Sequence, residues 1–377
     1  MSDYFGKDVP KLGFGLMRLP KLPGGDGKTI DVEQVKVMTD MFLDAGFTYF
    51  DTAYVYTNSE AAIKEALVDR HPRDSYTLAT KLNAGMADPP TEKSAKQQFY
   101  TSLERTGAGY FDYYLLHSIQ EKNVDKYDEY HLWDYVHDLK AKGLIKYLGF
   151  SFHDGPELLE RVLTEHPEVD FVQLQLNYMD WENPNVTSRA NYEVARRHGK
   201  SITVMEPVKG GTLADPPEEI KKMFEAYRPG MSPASWAIRF IASLDGIITV
   251  LSGMSNIAQM EDNLSYMKNF EPLDEEEQKI IQEAQRILGH SATVPCTACS
   301  YCTPGCPMQI DIPGIFKAMN KQIGNGQAAE AAAAYAAAAP EGHKASDCIG
   351  CKQCERVCPQ HLEITKYLAQ AAEMFEK

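Results

Sequence analysis

The chain has 377 residues, 44% of them hydrophobic, and a net charge of −15 at pH 7. That length suits one large domain plus a small one, and the apolar fraction is that of a globular protein rather than a disordered chain. The acidic balance, with no basic run, argues against a nucleic-acid partner, and the lack of any run of about 18 apolar residues argues against a membrane span. The segment MSDYFGKDVPKLGFG has no apolar stretch of the signal-peptide kind, so a cytoplasmic protein is expected.

Along the first 290 residues, short apolar runs alternate with amphipathic helical patterns. Strands are predicted at 12–17 (LGFGLM), 47–51 (FTYFD), 76–80 (YTLAT), 111–116 (FDYYLL), 146–150 (KYLGF), 171–175 (FVQLQ), 201–205 (SITVM) and 247–251 (IITVL). Helices are predicted near 32–45, 59–69, 92–107, 128–142, 156–166, 188–198, 233–243 and 256–268, and 270–290 reads as a terminal helix. Eight strands, each followed by a helix, are the count of a (β/α)8 barrel. A doubly wound sheet that bound a dinucleotide would be expected to show GxGxxG after its first strand, and GFGLMR does not fit.

In such a barrel the C-terminal strand ends face the active site. Those ends carry Asp51, Lys81, His117, Ser151, Gln173, Glu206 and Ser252. Taken singly, each has a bland explanation: Asp51 as a helix cap, His117 as a hydrogen-bonded core histidine. Their shared position at one mouth favours a reaction site.

The first 295 residues contain no cysteine, and all eight cysteines then fall in two windows. Both read C-x2-C-x2-C-x3-C-P: Cys296, Cys299, Cys302, Cys306 and Pro307, then Cys348, Cys351, Cys354, Cys358 and Pro359. This is the bacterial ferredoxin spacing for two [4Fe-4S] clusters, in which the fourth cysteine of each run ligates the other cluster. The expected ligand sets are therefore Cys296, Cys299, Cys302 and Cys358 for one cluster, and Cys348, Cys351, Cys354 and Cys306 for the other. A disulfide framework calls for an oxidising compartment, and zinc ribbons use CxxC pairs rather than four-cysteine runs. IPGIFKAMNKQ, AAEAAAAYAAAAP and LEITKYLAQAAEMFEK have helix-forming composition. The expected organisation is a barrel over 1–290 and a small, mostly helical iron-sulfur domain over 291–377.

The first part resembles the aldo-keto reductase family. FDTAYVYTNSE is similar to that family's DTAxxYG-x-SE segment, LATKL to its strand-end lysine and YYLLHS to its LLH. GFSFH, VMEPVKGG and the cysteine module resemble the subgroup with a C-terminal two-cluster ferredoxin-like domain. The resemblance implies an aldo-keto reductase-type TIM barrel and a catalytic tetrad of Asp51, Tyr56, Lys81 and His117. Tyr56 would donate the proton, its pKa lowered by Lys81, with Asp51 holding Lys81 and His117 orienting the substrate oxygen. It also implies NAD(H) or NADP(H) as cofactor beside the two [4Fe-4S] clusters. Ser151, Gln173 and Asn177 would meet the carboxamide and Met205 the nicotinamide face. Glu206, Pro207, Lys209 and Gly210 would pass the pyrophosphate, and Ser255, Gln259 and Asn263 would line the adenosine end.

Three departures stand out. Many relatives read CxxCxYCxPCP, one residue shorter than the CTPGCP run here. The usual Ser-Asn pair is Ser151-Phe152. Gly253 and Gln259 stand where NADPH-specific relatives carry cations. The expected function is reduction of a small-molecule carbonyl, with clusters that are structural or exchange electrons with a protein partner. The alternatives are a reductase fed by ferredoxin through the clusters without nicotinamide, and a non-catalytic redox-sensing or docking subunit. Loops near 18–30, 82–92, 118–127 and 178–187 are expected to shape specificity, with Tyr178 and Trp181 as an aromatic wall.

Overall fold

Eight parallel strands close into a barrel in chain order: β1 (Leu12–Gly15), β2 (Tyr49–Asp51), β3 (Thr77–Leu82), β4 (Phe111–Ile119), β5 (Ile145–Phe152), β6 (Phe171–Gln175), β7 (Ser201–Met205) and β8 (Ile247–Ser252). The structure is a computed structural model that describes residues 4–24, 29–289, 293–325 and 328–376. Residues 25–28, 290 and 377, which fall within expected segments, lie outside the described residues. Two compact units emerge. The first comprises the residues through Pro207 with Ala234–Asp274, and the second Val208–Pro233 with Glu275 onward.

The whole barrel belongs to the first unit. Its strands are nearly continuous apolar runs because parallel barrel strands are covered on both faces. Tyr49, Ala79, Tyr113, Leu115, Phe171, Ile248 and Leu251 form one buried cluster. Gly149 makes room within it: a Cβ there would stand 2.7 Å from the Phe171 ring. Met38, Phe42, Leu139, Leu159, Val162 and Ile238 bury the apolar faces of the surrounding helices.

The observed elements differ from the expected ones in instructive places. β4 runs three residues further than its apolar pattern, to Ile119. Its pairing with β5 shifts register between Leu116 and Ile119, and Ser118 there has φ 62°. The helix expected over 59–69 ends as a π-helical turn, Lys64–Val68. The helix expected over 128–142 is two, Val124–Glu129 and Leu132–Ala141, parted by His131 at φ 49°.

The second unit holds a helix that alternation alone did not count, Glu218–Tyr227. Its partner is the helix Glu275–Gly289, whose buried Glu277 accepts from Arg228 Nε at 2.9 Å. The cysteine region adds helices Ile312–Asn325, Ala328–Ala338, Gln353–Val357 and Ile364–Phe375. Their core contains Ile310, Ile315, Phe316, Met319 and Leu368 together with Cys302, Cys354 and Cys358. The alanine-rich helix buries Ala331 and Tyr335, and the Tyr335 ring stacks on Phe375 at 4.6 Å.

Candidate functional site

The ends of β2, β3, β4 and β6 bring four polar side chains together at one end of the barrel. Asp51 closes β2 and Lys81 lies in β3, 30 residues on; Lys81 Nζ donates to Asp51 Oδ1 at 2.6 Å and to the Thr52 carbonyl at 2.7 Å. Lys81 has no exposed surface and Asp51 is 3% exposed. Burial pushes the Asp51 carboxyl up and the Lys81 ammonium down, while the contact between them opposes both shifts. Gln173 Nε2 donates to the second carboxylate oxygen of Asp51 at 3.2 Å. Close by, the buried Glu60 accepts from Thr80 at 2.8 Å and adds negative potential at Lys81.

Tyr56 sits in the turn that follows β2, where its N–H donates to the Ala53 carbonyl at 3.0 Å and Asn58 takes φ 59°. This turn sets the half-buried Tyr56 ring with its centroid 5.0 Å from Lys81 Nζ and 5.8 Å from the His117 ring, edge to face. His117 is 3% exposed, and its Nδ1 is buried without a hydrogen-bond partner among the described residues. Burial, then the Lys81 charge, then His153 hold His117 well below the ordinary histidine range, so the ring is neutral at pH 7.

The irregular end of β4 is braced from three sides. The Tyr127 hydroxyl donates to the His117 carbonyl. The Ser118 N–H donates to Ser151 Oγ at 2.7 Å, and Asn123 Nδ2 donates to the Ser118 carbonyl at 2.8 Å. Tyr127 and Asn123 were not singled out in the sequence. Their signal would have been a tyrosine and an amide within ten residues of a strand-end histidine.

The remaining expected residues fall into separate groups. Asn177 is completely buried; its amide donates to Asp180 Oδ2 at 2.8 Å and to the Glu206 carbonyl at 3.2 Å, and its oxygen accepts from the Asp180 N–H. Glu206 takes φ 56° and meets Arg18 at 3.4 Å. Arg18, directly beyond β1 and also unforeseen, lays its stem 3.3 Å from where a Gly253 Cβ would stand. Met205 ends β7, and its carbonyl accepts from the Leu176 N–H at 3.3 Å; Pro207, two residues on, is buried. Ser255 N–H donates to Gln259 Oε1 at 2.7 Å, and Asn263 Nδ2 donates to Ser252 Oγ at 3.0 Å. Lys209 and Gly210 belong to the second unit. Phe152 is core, packed on Phe150. Tyr178 is buried, and the partly buried Trp181 packs on Phe240 and Tyr192.

In the second unit, Cys296, Cys299, Cys302 and Cys358 line one small cavity. Cys306, Cys348, Cys351 and Cys354 line another. These groupings are the two sets expected from the spacing. The longer CTPGCP run closes through a turn in which Cys306 N–H donates to the Thr303 carbonyl at 3.1 Å. Among the described residues no disulfide joins any of the eight cysteines. Burial and the neighbouring Cys299, Cys296 and Cys358 thiols push the Cys302 thiol up to about 12; burial, mainly, pushes Cys354 to about 11. Bound cations reverse this logic, because a coordinating thiol is deprotonated. Among the described residues no three such side chains are close enough to hold a single ion.

The family profile described as the aldo/keto reductase family matches residues 11–286. The chain belongs to the aldo/keto reductase family. It is an oxidoreductase of that family with an additional segment, residues 295–363, that matches the 4Fe-4S dicluster domain. One aldo-keto reductase relative, str7 of Strobilurus tenacellus, is 31% identical over 215 residues, 54% of this chain and 60% of that protein. The 9,11-endoperoxide prostaglandin H2 reductase of Trypanosoma cruzi is 25% identical over 278 residues, 72% of this chain and 91% of its own length. In fold, the chain is similar to the holo form of aldo-keto reductase AKR11C1 from Bacillus halodurans. That match has a TM-score of 0.57 and 24% identity, and it covers 75% of this chain and 95% of the other. An aldo-keto reductase from Klebsiella pneumoniae in complex with NADPH is similar at a TM-score of 0.59 and 19% identity, over 75% and 95% of the two chains. Among the described residues no helix is long and apolar enough to cross a membrane.

Proposed function

We propose that the barrel reduces a small-molecule carbonyl by hydride transfer from a nicotinamide, with Tyr56 as the proton donor. The observation that carries this reading is the buried Lys81–Asp51 pair with the Tyr56 ring 5.0 Å from the ammonium. A bound nicotinamide supplies the hydride. The substrate oxygen then requires a proton, which the Tyr56 hydroxyl gives. Lys81 stabilises the phenolate left behind and lowers the pKa of Tyr56. Asp51 keeps Lys81 charged where burial alone would favour the neutral amine. Neutral His117 offers a ring N–H to the same substrate oxygen.

Two side chains suit a carboxamide. Ser151 accepts from Ser118 but retains its own hydroxyl proton, and Gln173 donates to Asp51 but retains its amide oxygen. Together they present one donor and one acceptor, the complement of a nicotinamide carboxamide. Asn177, with both amide protons engaged, fits that part less well. The Klebsiella pneumoniae protein, similar in fold, is described with NADPH. Here Gly253 and Gln259 carry no charge, and Arg18 beside Gly253 offers the cation instead, which leaves both NADH and NADPH acceptable. The two cysteine sets hold [4Fe-4S] clusters, which carry electrons singly. By chemistry the chain divides into a reductase over 1–290 and a cluster domain over 291–377, whereas the compact units place Val208–Pro233 and Glu275–Gly289 with the second.

The test is anaerobic turnover of a carbonyl panel with NADH and NADPH. Tyr56→Phe is expected to lower kcat by roughly 10²–10⁴-fold with the nicotinamide Kd unchanged, and Arg18→Gln to weaken that Kd. Full turnover by Tyr56→Phe would overturn the reading. One observation favours a second reading: Cys351 is exposed, so the second cysteine set reaches solvent. An external protein donor could deliver electrons there, and turnover on reduced ferredoxin without nicotinamide would establish that route.

A further inference from the structure

Lys209, Gly210 and Gly211 run left-handed in succession, with φ of 47°, 63° and 102°. The turn closes as Gly211 N–H donates to the Val208 carbonyl at 3.0 Å. A Cβ on Gly210 would stand 2.3 Å from the Thr297 oxygen and 2.6 Å from its Cα. On Gly211 it would meet nothing within 4 Å. All of these residues belong to the second unit.

Thr297 is 1% exposed and directly follows Cys296. Its carbonyl belongs to the same planar peptide unit as the Ala298 N–H. That N–H donates to Cys296 Sγ at 3.4 Å. Ala298 and Ser300 are themselves left-handed, at φ 51° and 63°. Upstream, Asn320 brackets Val294, accepting from its N–H at 2.7 Å and donating to its carbonyl at 2.8 Å. The ligand loop is thus clamped before Cys296 by Asn320 and just after it by Gly210.

We propose that Gly210 is a positioning residue for the cluster site of Cys296, Cys299, Cys302 and Cys358, acting through the Thr297–Ala298 peptide. This rests on the reading that these thiols hold a [4Fe-4S] cluster. Any side chain at Gly210 pushes the Thr297 carbonyl, tilts the peptide plane and moves the Ala298 N–H off the Cys296 sulfur. Hydrogen bonds to cluster sulfurs are among the groups that set the reduction potential. They favour the reduced, more negative state, so losing one moves the potential down. The Lys-Gly-Gly run therefore tunes the first cluster.

The test compares full-length wild type, Gly210→Ala and Gly211→Ala, purified without oxygen, by iron count and EPR-monitored redox titration. Both variants put an alanine on a left-handed backbone, and only Gly210→Ala meets Thr297. Wild type and Gly211→Ala are expected to carry about eight irons per chain in two centres with equal potentials between the two proteins. Gly210→Ala is expected to shift one of the two potentials downward, or to lose that cluster and fall toward about four irons, leaving the other centre unchanged. Unchanged potentials and iron in Gly210→Ala would overturn the proposal, as would equal losses in both variants. Wild type without cluster iron would overturn the cluster reading itself, and the proposal with it.

Discussion

Lys81 is the most demanding residue in the barrel, a fully buried ammonium whose two hydrogen bonds go to Asp51 and the Thr52 carbonyl. Removing the cation leaves a buried carboxylate uncompensated, which typically costs about 3–5 kcal/mol. Lys81→Met is therefore expected to unfold at markedly lower urea concentration than the wild type. Lys81→Met combined with Asp51→Leu is expected to regain most of that stability while remaining inactive, which separates the pair's structural role from its chemical one. His117 adds a pH dependence. Its folded-state pKa lies below that of the unfolded chain, so on acidification the unfolded chain takes up the proton first and stability falls. The loss begins as pH drops through about 6.5, the unfolded histidine value, and continues down to the folded pKa. Denaturant midpoints measured from pH 7.5 to 5 are expected to decline less steeply in His117→Asn than in the wild type.

At the scale of elements, the end of β4 shows how a strand delivers a side chain off its regular register. Pairing with β5 slips between Leu116 and Ile119, and the left-handed Ser118 lies at that slip. Such irregularities re-aim side chains near active sites, and this one is held by Tyr127, Ser151 and Asn123. The short helix Val124–Glu129 is separate from its successor, and it carries the fully buried Tyr127 to the His117 carbonyl. Tyr127→Phe leaves that carbonyl without this donor, at an expected cost of about 1–3 kcal/mol. Thermal melts should show the loss. Turnover should fall through kcat, because His117 is displaced.

At the scale of the whole molecule, the second unit builds its core around sulfur. Cys302, Cys354 and Cys358 are buried among Ile310, Ile315, Phe316 and Leu368, so the thiols are packing partners as well as the proposed ligands. Iron removal by chelation under reducing conditions is expected to expose 293–376 to limited proteolysis while fragments containing β1–β8 persist. Uniform resistance after iron loss would contradict that expectation. Much of this plan was legible in the chain alone. Strand and helix alternation follows from apolar periodicity, a local property; loop reach over two residues groups three cysteines of each run, and the ferredoxin spacing assigns the fourth to the other set. Asp51, Lys81 and His117 could be nominated as strand-end residues for the same reason, whereas Tyr56 came only from the resemblance to the aldo-keto reductase family. What only the tertiary structure decided are contacts between residues distant in sequence. Closing the barrel brings Gln173 to Asp51 across 122 residues and lays Arg18 beside Gly253. Folding of the second unit sets Gly210 against Thr297. Local propensity carries no record of such meetings, because they depend on strand stagger, loop path and the space that a missing side chain leaves open.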